Sequence, residues 1–179
     1  PAGRNVYAVW TELAGGGADI YLSRSTDGGN TWTAPVDLTA GITERCVEPV
    51  IVAARDGAVD RVYVAFQRVV GGIRRLNVAR SADSGATFTT SGDLDTTAST
   101  DNFKHQLAIS SNGQRVLLVW EQLTTTNLTR RVVARASTDS GATFAAERLV
   151  SVNVGASANA GKPRALVTAS GRFVFVWRE

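Results

Sequence analysis

Short runs of β-branched and aromatic residues recur along the chain, each bounded by glycine, serine, asparagine or aspartate. One set comprises Val6-Tyr7-Ala8-Val9-Trp10, Val62-Tyr63-Val64-Ala65-Phe66, Val116-Leu117-Leu118-Val119-Trp120 and Phe173-Val174-Phe175-Val176-Trp177. Successive positions are apolar, so both faces read as buried, which predicts strands in the middle of sandwiched sheets. Their closing aromatics lie 56, 54 and 57 residues apart. A second set, Val50-Ile51-Val52-Ala53, Leu107-Ala108-Ile109 and Ala165-Leu166-Val167, precedes the last three. These runs end in Arg55-Asp56-Gly57, Ser111-Asn112-Gly113 and Ala169-Ser170-Gly171. Asp-Gly and Asn-Gly are hairpin signals, because such turns need positive φ.

A third set, Ile20-Tyr21-Leu22, Leu76-Asn77-Val78-Ala79 and Val132-Val133-Ala134, leads into one repeated turn. Its copies begin at Ser25, Ser81 and Ser137, a fixed spacing of 56 residues. The first carries Ser25, Asp27, Gly29, Thr31 and Trp32. The second carries Ser81, Asp83, Gly85, Thr87 and Phe88, and the third Ser137, Asp139, Gly141, Thr143 and Phe144. Asp accepts bonds from turn amides, Gly supplies positive φ, and Ser and Thr add local backbone bonds. The closing aromatic is expected to pin the turn onto apolar surface. Short strands follow, as at Pro35-Val36-Asp37-Leu38 and Glu147-Arg148-Leu149-Val150.

The unit is thus four antiparallel strands, with the glycine turn between the first two and the aspartate turn between the last two. Units of this length, stacked face to face, are blades of a β-propeller. The expected fold is all-β, with 13 strands in about three and a quarter blades, starting and ending at a second strand. The divisions are a partial blade over 1–38, blades over 47–94 and 104–151, and a partial blade over 162–179.

Composition changes this picture little. Charged residues make up 20% of the chain, and the net charge is +3 although the pI is about 9.5. The longest basic runs are the pairs Arg74-Arg75 and Arg130-Arg131, expected as solvated loop charge rather than a nucleic-acid surface. Cys46 is the single cysteine and His105 the single histidine, so neither a disulfide nor a metal centre is expected, and no cofactor. Cys46 reads as a small buried apolar residue. No apolar run approaches the roughly 18 residues of a membrane helix, and no membrane insertion is expected. The chain begins at Pro1 and has no Met, so it reads as a piece of something longer. Asn127-Leu128-Thr129 is a glycosylation sequon, which matters only in a glycosylating secretory route.

The repeated turn resembles the Asp-box, or BNR repeat, of the sialidase-type β-propellers, and the resemblance covers essentially the whole chain. It implies an extracellular or cell-surface setting and boxes on the outer rim, away from the catalytic face. Asp27, Asp83 and Asp139 are then turn locks rather than acids, since a catalytic carboxylate is normally unique. Sialidases of the family hold the substrate carboxylate with an arginine triad, and add a Tyr-Glu nucleophile pair and an Asp acid/base. The first arginine stands two residues before a proline where an innermost strand begins. Here Val47, Phe103 and Gly161 occupy those places, ahead of Pro49, His105 and Pro163. Tyr7, Tyr21 and Tyr63 lie in apolar runs and are expected to pack in cores. No catalytic residue is expected in this segment.

A binding surface belongs on the face opposite the boxes, where strand-connecting loops emerge around the axis. Glu48, Lys104 and Lys162 are equivalent there, as are Val50, Gln106 and Arg164. Glu12, Arg68, Glu121 and Glu179 stand at the ends of second strands, and His105 is expected as an ordinary residue beginning a first strand. The expected function is a non-catalytic extracytoplasmic binding or scaffold module for a glycan or protein ligand. One alternative is a sialidase-type glycosidase with its catalytic residues outside this segment. Another is a self-assembling protein, because partial blades leave open edges to be met by further blades or a second copy.

Overall fold

The structure, a computed structural model, describes residues 5–14, 17–96, 100–151, 160–168 and 170–178. Sheet 1 holds β1 (Val6–Ala14), β2 (Gly17–Ser25) and β3 (Val36–Asp37). Sheet 2 holds β4 (Cys46–Asp56), β5 (Val59–Val70), β6 (Ile73–Ser81) and β7 (Thr89–Thr90). Sheet 3 holds β8 (Thr100–Ile109), β9 (Val116–Thr124), β10 (Arg130–Ser137) and β11 (Arg148–Leu149). Sheet 4 holds β12 (Gly161–Val167) and β13 (Phe173–Arg178). Neighbours are antiparallel and follow chain order throughout. The described strands number 13, in the predicted order, with the second strand opening and closing the series.

Each pair of adjacent sheets encloses its own core. Tyr7, Val9, Ile20 and Leu22 of sheet 1 pack on Val62, Val64 and Phe66 of sheet 2. Tyr63, Ala65 and Val78 of sheet 2 meet Val116, Leu118 and Trp120 of sheet 3. Leu117 and Val119 of sheet 3 meet Phe173, Phe175 and Trp177 of sheet 4. A strand such as β5, apolar at each position from Val62 to Phe66, therefore serves two cores at once, one on each face. β1 and β13 serve only one. Their other faces stay open, which leaves Val6 39% and Val176 61% exposed.

The joints are keyed by repeat-equivalent tyrosines. The Tyr7 hydroxyl donates to Asp60 of sheet 2 at 2.8 Å, and its ring lies against Gly85. The Tyr63 hydroxyl donates to the Gly113 carbonyl of sheet 3 at 2.7 Å, and its ring lies against Gly141. Burial, then the bond to Asp60, pushes the Tyr7 hydroxyl up to about 12. Tyr21 departs from its expected place: it sits on the open face of sheet 1, stacked on Trp10 with centroids 6.2 Å apart.

Two other expectations are corrected. Arg74-Arg75 and Arg130-Arg131 are not solvated loop charge, because each begins a third strand and is paired. Arg74 bonds Asp101 at 2.8 Å, Arg75 bonds the buried Asp95 at 2.7 Å, Arg130 pairs with Glu121, and Arg131 donates to Gln122 at 2.7 Å. Trp32 is 45% exposed, whereas Phe88 and Phe144 pack into the cores before their own sheets. Among the described residues no sheet stands before sheet 1, and the Trp32 indole donates to the Gly29 carbonyl at 3.1 Å.

Candidate functional site

The three boxes have one geometry. Ser25, Ser81 and Ser137 each donate to the aspartate two residues on at 2.7 Å. Each serine also accepts from the box glycine amide, at 2.8, 2.8 and 2.9 Å. The aspartates accept from the amides of Thr31, Thr87 and Thr143 at 2.9 Å. Gly29, Gly85 and Gly141 have φ of 97, 76 and 72°, as the turn requires. The Thr31 amide first, then the Thr31 and Ser25 hydroxyls, hold the Asp27 carboxyl far below its ordinary value. The Thr143 hydroxyl and amide do the same for Asp139. Burial pushes Asp83 up, but bonds from Ser81 and Thr87 outweigh it and bring the carboxyl down to about 2. General acid catalysis needs a proton held near the working pH; these carboxylates are tied into their own turns and held ionised well below it.

The opposite end of the sheets is built differently. Glu48, Lys104 and Lys162 have φ of 54, 49 and 52°. Each sits in a bulge where the first strand slips against the second, between Val47 and Val50, Phe103 and Gln106, and Gly161 and Arg164. An L-residue in this conformation costs roughly 1–2 kcal/mol relative to the ordinary helical one, and glycine would avoid the strain. All three side chains are exposed. They occupy one register position on β4, β8 and β12, strands that contact one another in series across the sheet boundaries. Gln67 donates to Glu48 at 3.1 Å.

The other sequence candidates have settled partners. His105 is 2% exposed, and its Nε2 lies 3.3 Å from the Ala65 carbonyl of sheet 2. Burial pushes its pKa down. It is a joint residue rather than a surface contact. Arg68 lies inside β5, short of the strand end, where it bonds Asp93 and Glu44, each at 2.8 Å, and lines a cleft of about 270 Å³ with Asn77. Glu121 lies inside β9, pairs with Arg130 and accepts the Lys162 amide at 3.0 Å. Glu12 projects from the open face of sheet 1 and Arg164 from that of sheet 4. Glu179 lies outside the described residues. Cys46 is fully buried, and burial pushes its thiol up to about 12.

One feature escaped the sequence. Phe103 lies beneath two guanidinium groups, with the Arg74 and Arg130 carbons 4.7 and 5.6 Å from its ring centroid. The three residues come from different strands, so no spacing could announce it. Among the described residues no cluster of His, Cys, Asp and Glu could hold a metal ion.

Residues 6–179 match the family described as a BNR repeat-like domain. Comparison with curated proteins returns no match. Among solved structures, a protein of unknown function from Dyadobacter fermentans superposes with a TM-score of 0.63 at 17% identity, over 93% of this chain and 47% of its own. The GH93 α-L-arabinofuranosidase of Fusarium graminearum, in complex with arabinobiose, gives 0.60 at 16%, over 97% of this chain and 52% of its own. The NanB sialidase of Streptococcus pneumoniae gives 0.55 at 17%, over 89% and 23%. The chain spans about half the length of the first two.

Proposed function

The chain belongs to the BNR repeat-like family, and on that premise we propose that it is a non-catalytic, extracytoplasmic β-propeller segment that binds a glycan on the face opposite its boxes. The bulges carry this reading. Three charged residues, one acidic and two basic, stand at one strained position on successive first strands, where glycine would be free of strain. The boxes repeat one chemistry. Strain kept under varied side chains fits a contact surface; constancy fits a structural lock. The complex of a similar fold with arabinobiose supports a glycan as the ligand class.

A glycan array probed with the tagged chain tests the proposal. Expected is saturable binding that E48A/K104A/K162A abolishes and D139N leaves intact. Binding unaffected by the triple substitution overturns it. A second reading, a glycosidase with its catalytic groups in further blades, is favoured by the half-length span against the arabinofuranosidase. Hydrolysis of a fluorogenic sialoside or arabinofuranoside by the isolated chain would establish catalysis within these residues instead.

A further inference from the structure

A cleft of about 270 Å³ opens between sheet 2 and the segment that leads into it from sheet 1. Gly41, Ile42, Thr43 and Glu44 of that segment form one wall. Arg68 of β5 and Asn77 of β6 stand in the other, with Gly92 and Asp93 after β7. Asn77 is the Cα partner of Phe66, and Arg68 stands two residues on from Phe66, so all three share the face of sheet 2 that meets sheet 1. Sheet 2 has a sheet packed on each face, so the cleft belongs to a complete joint. None of Glu48, Lys104 and Lys162 lines it.

The fold does not need this chemistry. Sheet 3 builds the same corner from Gln122, Val133 and Leu149, at the places of Arg68, Asn77 and Asp93. Asn77 is 2% exposed in mid-strand, where an amide suits the sheet less well than valine and must find bonds. Its Nδ2 donates to Asp93 at 3.0 Å, and its carbonyl oxygen accepts from none of the described residues. Arg68 donates to Asp93 at 2.8 and 3.3 Å and to Glu44 at 2.8 Å, which leaves guanidinium N–H donors unspent. Gly41 and Gly92 have φ of 86 and 71°, and an added Cβ at either would meet nothing within 4 Å. The rims are bare where side chains would narrow the opening.

The lining selects a ligand class. The Glu44 amide first, then the Arg68 charge, holds the Glu44 carboxyl below its ordinary value. Burial pushes Asp93 up, but bonds from Arg68 and Asn77 outweigh it. Both carboxylates are therefore ionised beside one guanidinium, and the excess negative charge disfavours an anion. Ile42 is the only apolar side chain among the described lining residues, so an aliphatic or aromatic ligand finds little surface. Free N–H donors beside acceptor oxygens suit a ligand that accepts and donates at once, as neighbouring hydroxyls do. The volume lies just under the roughly 300–1,000 Å³ of small-molecule pockets, which sets the ligand at one ring. We propose that this cleft binds the ring of a neutral sugar, one hydroxyl accepting from Arg68 and its neighbour donating to Asp93 or to the Asn77 carbonyl. The site stands independently of the glycan reading of the bulges.

Amide NMR of the isotopically labelled chain tests the proposal, with methyl glycosides of glucose, galactose and arabinofuranose, and with glucuronate as the anionic counterpart. Expected are saturable shifts at Gly41, Thr43, Asn77 and Gly92 from at least one neutral glycoside, and weaker ones from glucuronate. R68Q/N77V installs the residues that sheet 3 carries at these places. It is expected to weaken binding about tenfold or more, with the chain still folded by circular dichroism. N77V alone, which keeps both ion pairs, is expected to weaken it severalfold. No shift in the cleft at the solubility limit of every neutral glycoside overturns the proposal. So does glucuronate binding as tightly as the neutral rings, as do shifts that the folded variants leave unchanged. Shifts confined to Glu48, Lys104 and Lys162 overturn it too, while leaving the bulge reading intact.

Discussion

The Tyr63 hydroxyl of sheet 2 donates to the Gly113 carbonyl in the turn of sheet 3, at 2.7 Å. The same ring stands against Gly141, where an added Cβ would lie 2.9 Å from Tyr63 Cε1. One side chain thus holds the turn and the box of the next sheet together. Tyr63→Phe leaves the carbonyl without this donor and is expected to cost about 1 kcal/mol. Chemical denaturation checks it.

Two glycines should respond differently to alanine. Gly141 combines a φ of 72° with the Tyr63 ring, whereas Gly171 has a φ of 76° and nothing within 4 Å of an added Cβ. Gly141→Ala is expected to cost about 2 kcal/mol or more, from conformation and overpacking together. Gly171→Ala should cost about 1 kcal/mol, from conformation alone. Equal losses in urea melts would show that the tyrosine contact is not tight.

Gly161 is a third case, because its constraint is purely steric. A Cβ there would stand 2.5 Å from Glu121 Oε2, the oxygen that accepts the Lys162 amide. Gly161→Ala is expected to cost about 1–3 kcal/mol. Combined with Glu121→Ala, which clears the space, the loss should be less than additive. Strict additivity in a double-mutant cycle would separate the two sites.

Acid should weaken the protein in two windows. The folded pKa of His105 is depressed, so its contribution is complete above the unfolded value of about 6.5 and is lost as pH falls toward the folded value. Asp27, Asp83 and Asp139 are also depressed, so theirs is complete above roughly 4 and is lost as pH falls further. Thermal melts across pH should show both steps, and His105→Gln should remove only the first.

The strand order and the boxes were legible because they rest on local rules: runs of strand length, turn glycines, and aspartates that bond their own backbone. The bulges were visible only as equivalent positions. Glu48, Lys104 and Lys162 aligned in the sequence, but nothing in those residue types announces positive φ. What crosses sheet boundaries was hidden. Tyr21 shares an apolar run with buried Ile20 and Leu22, yet period-two alternation puts it on the open face. Arg74 and Arg130 looked like loop charges because Asp101, Glu121 and the Phe103 ring reach them from other strands.

The glycan proposed as ligand would be bound without being cleaved, through the bulged ends of the first strands around Glu48, Lys104 and Lys162. Titration of the isotopically labelled chain with a glycan from the array, followed by amide and sugar NMR signals together, addresses it most directly. The expected result is saturable shifts at Glu48, Lys104, Lys162 and their neighbours, with Asp27, Asp83 and Asp139 unmoved and the sugar signals unchanged over time. Shifts centred on the boxes, or the appearance of cleaved sugar, would contradict it.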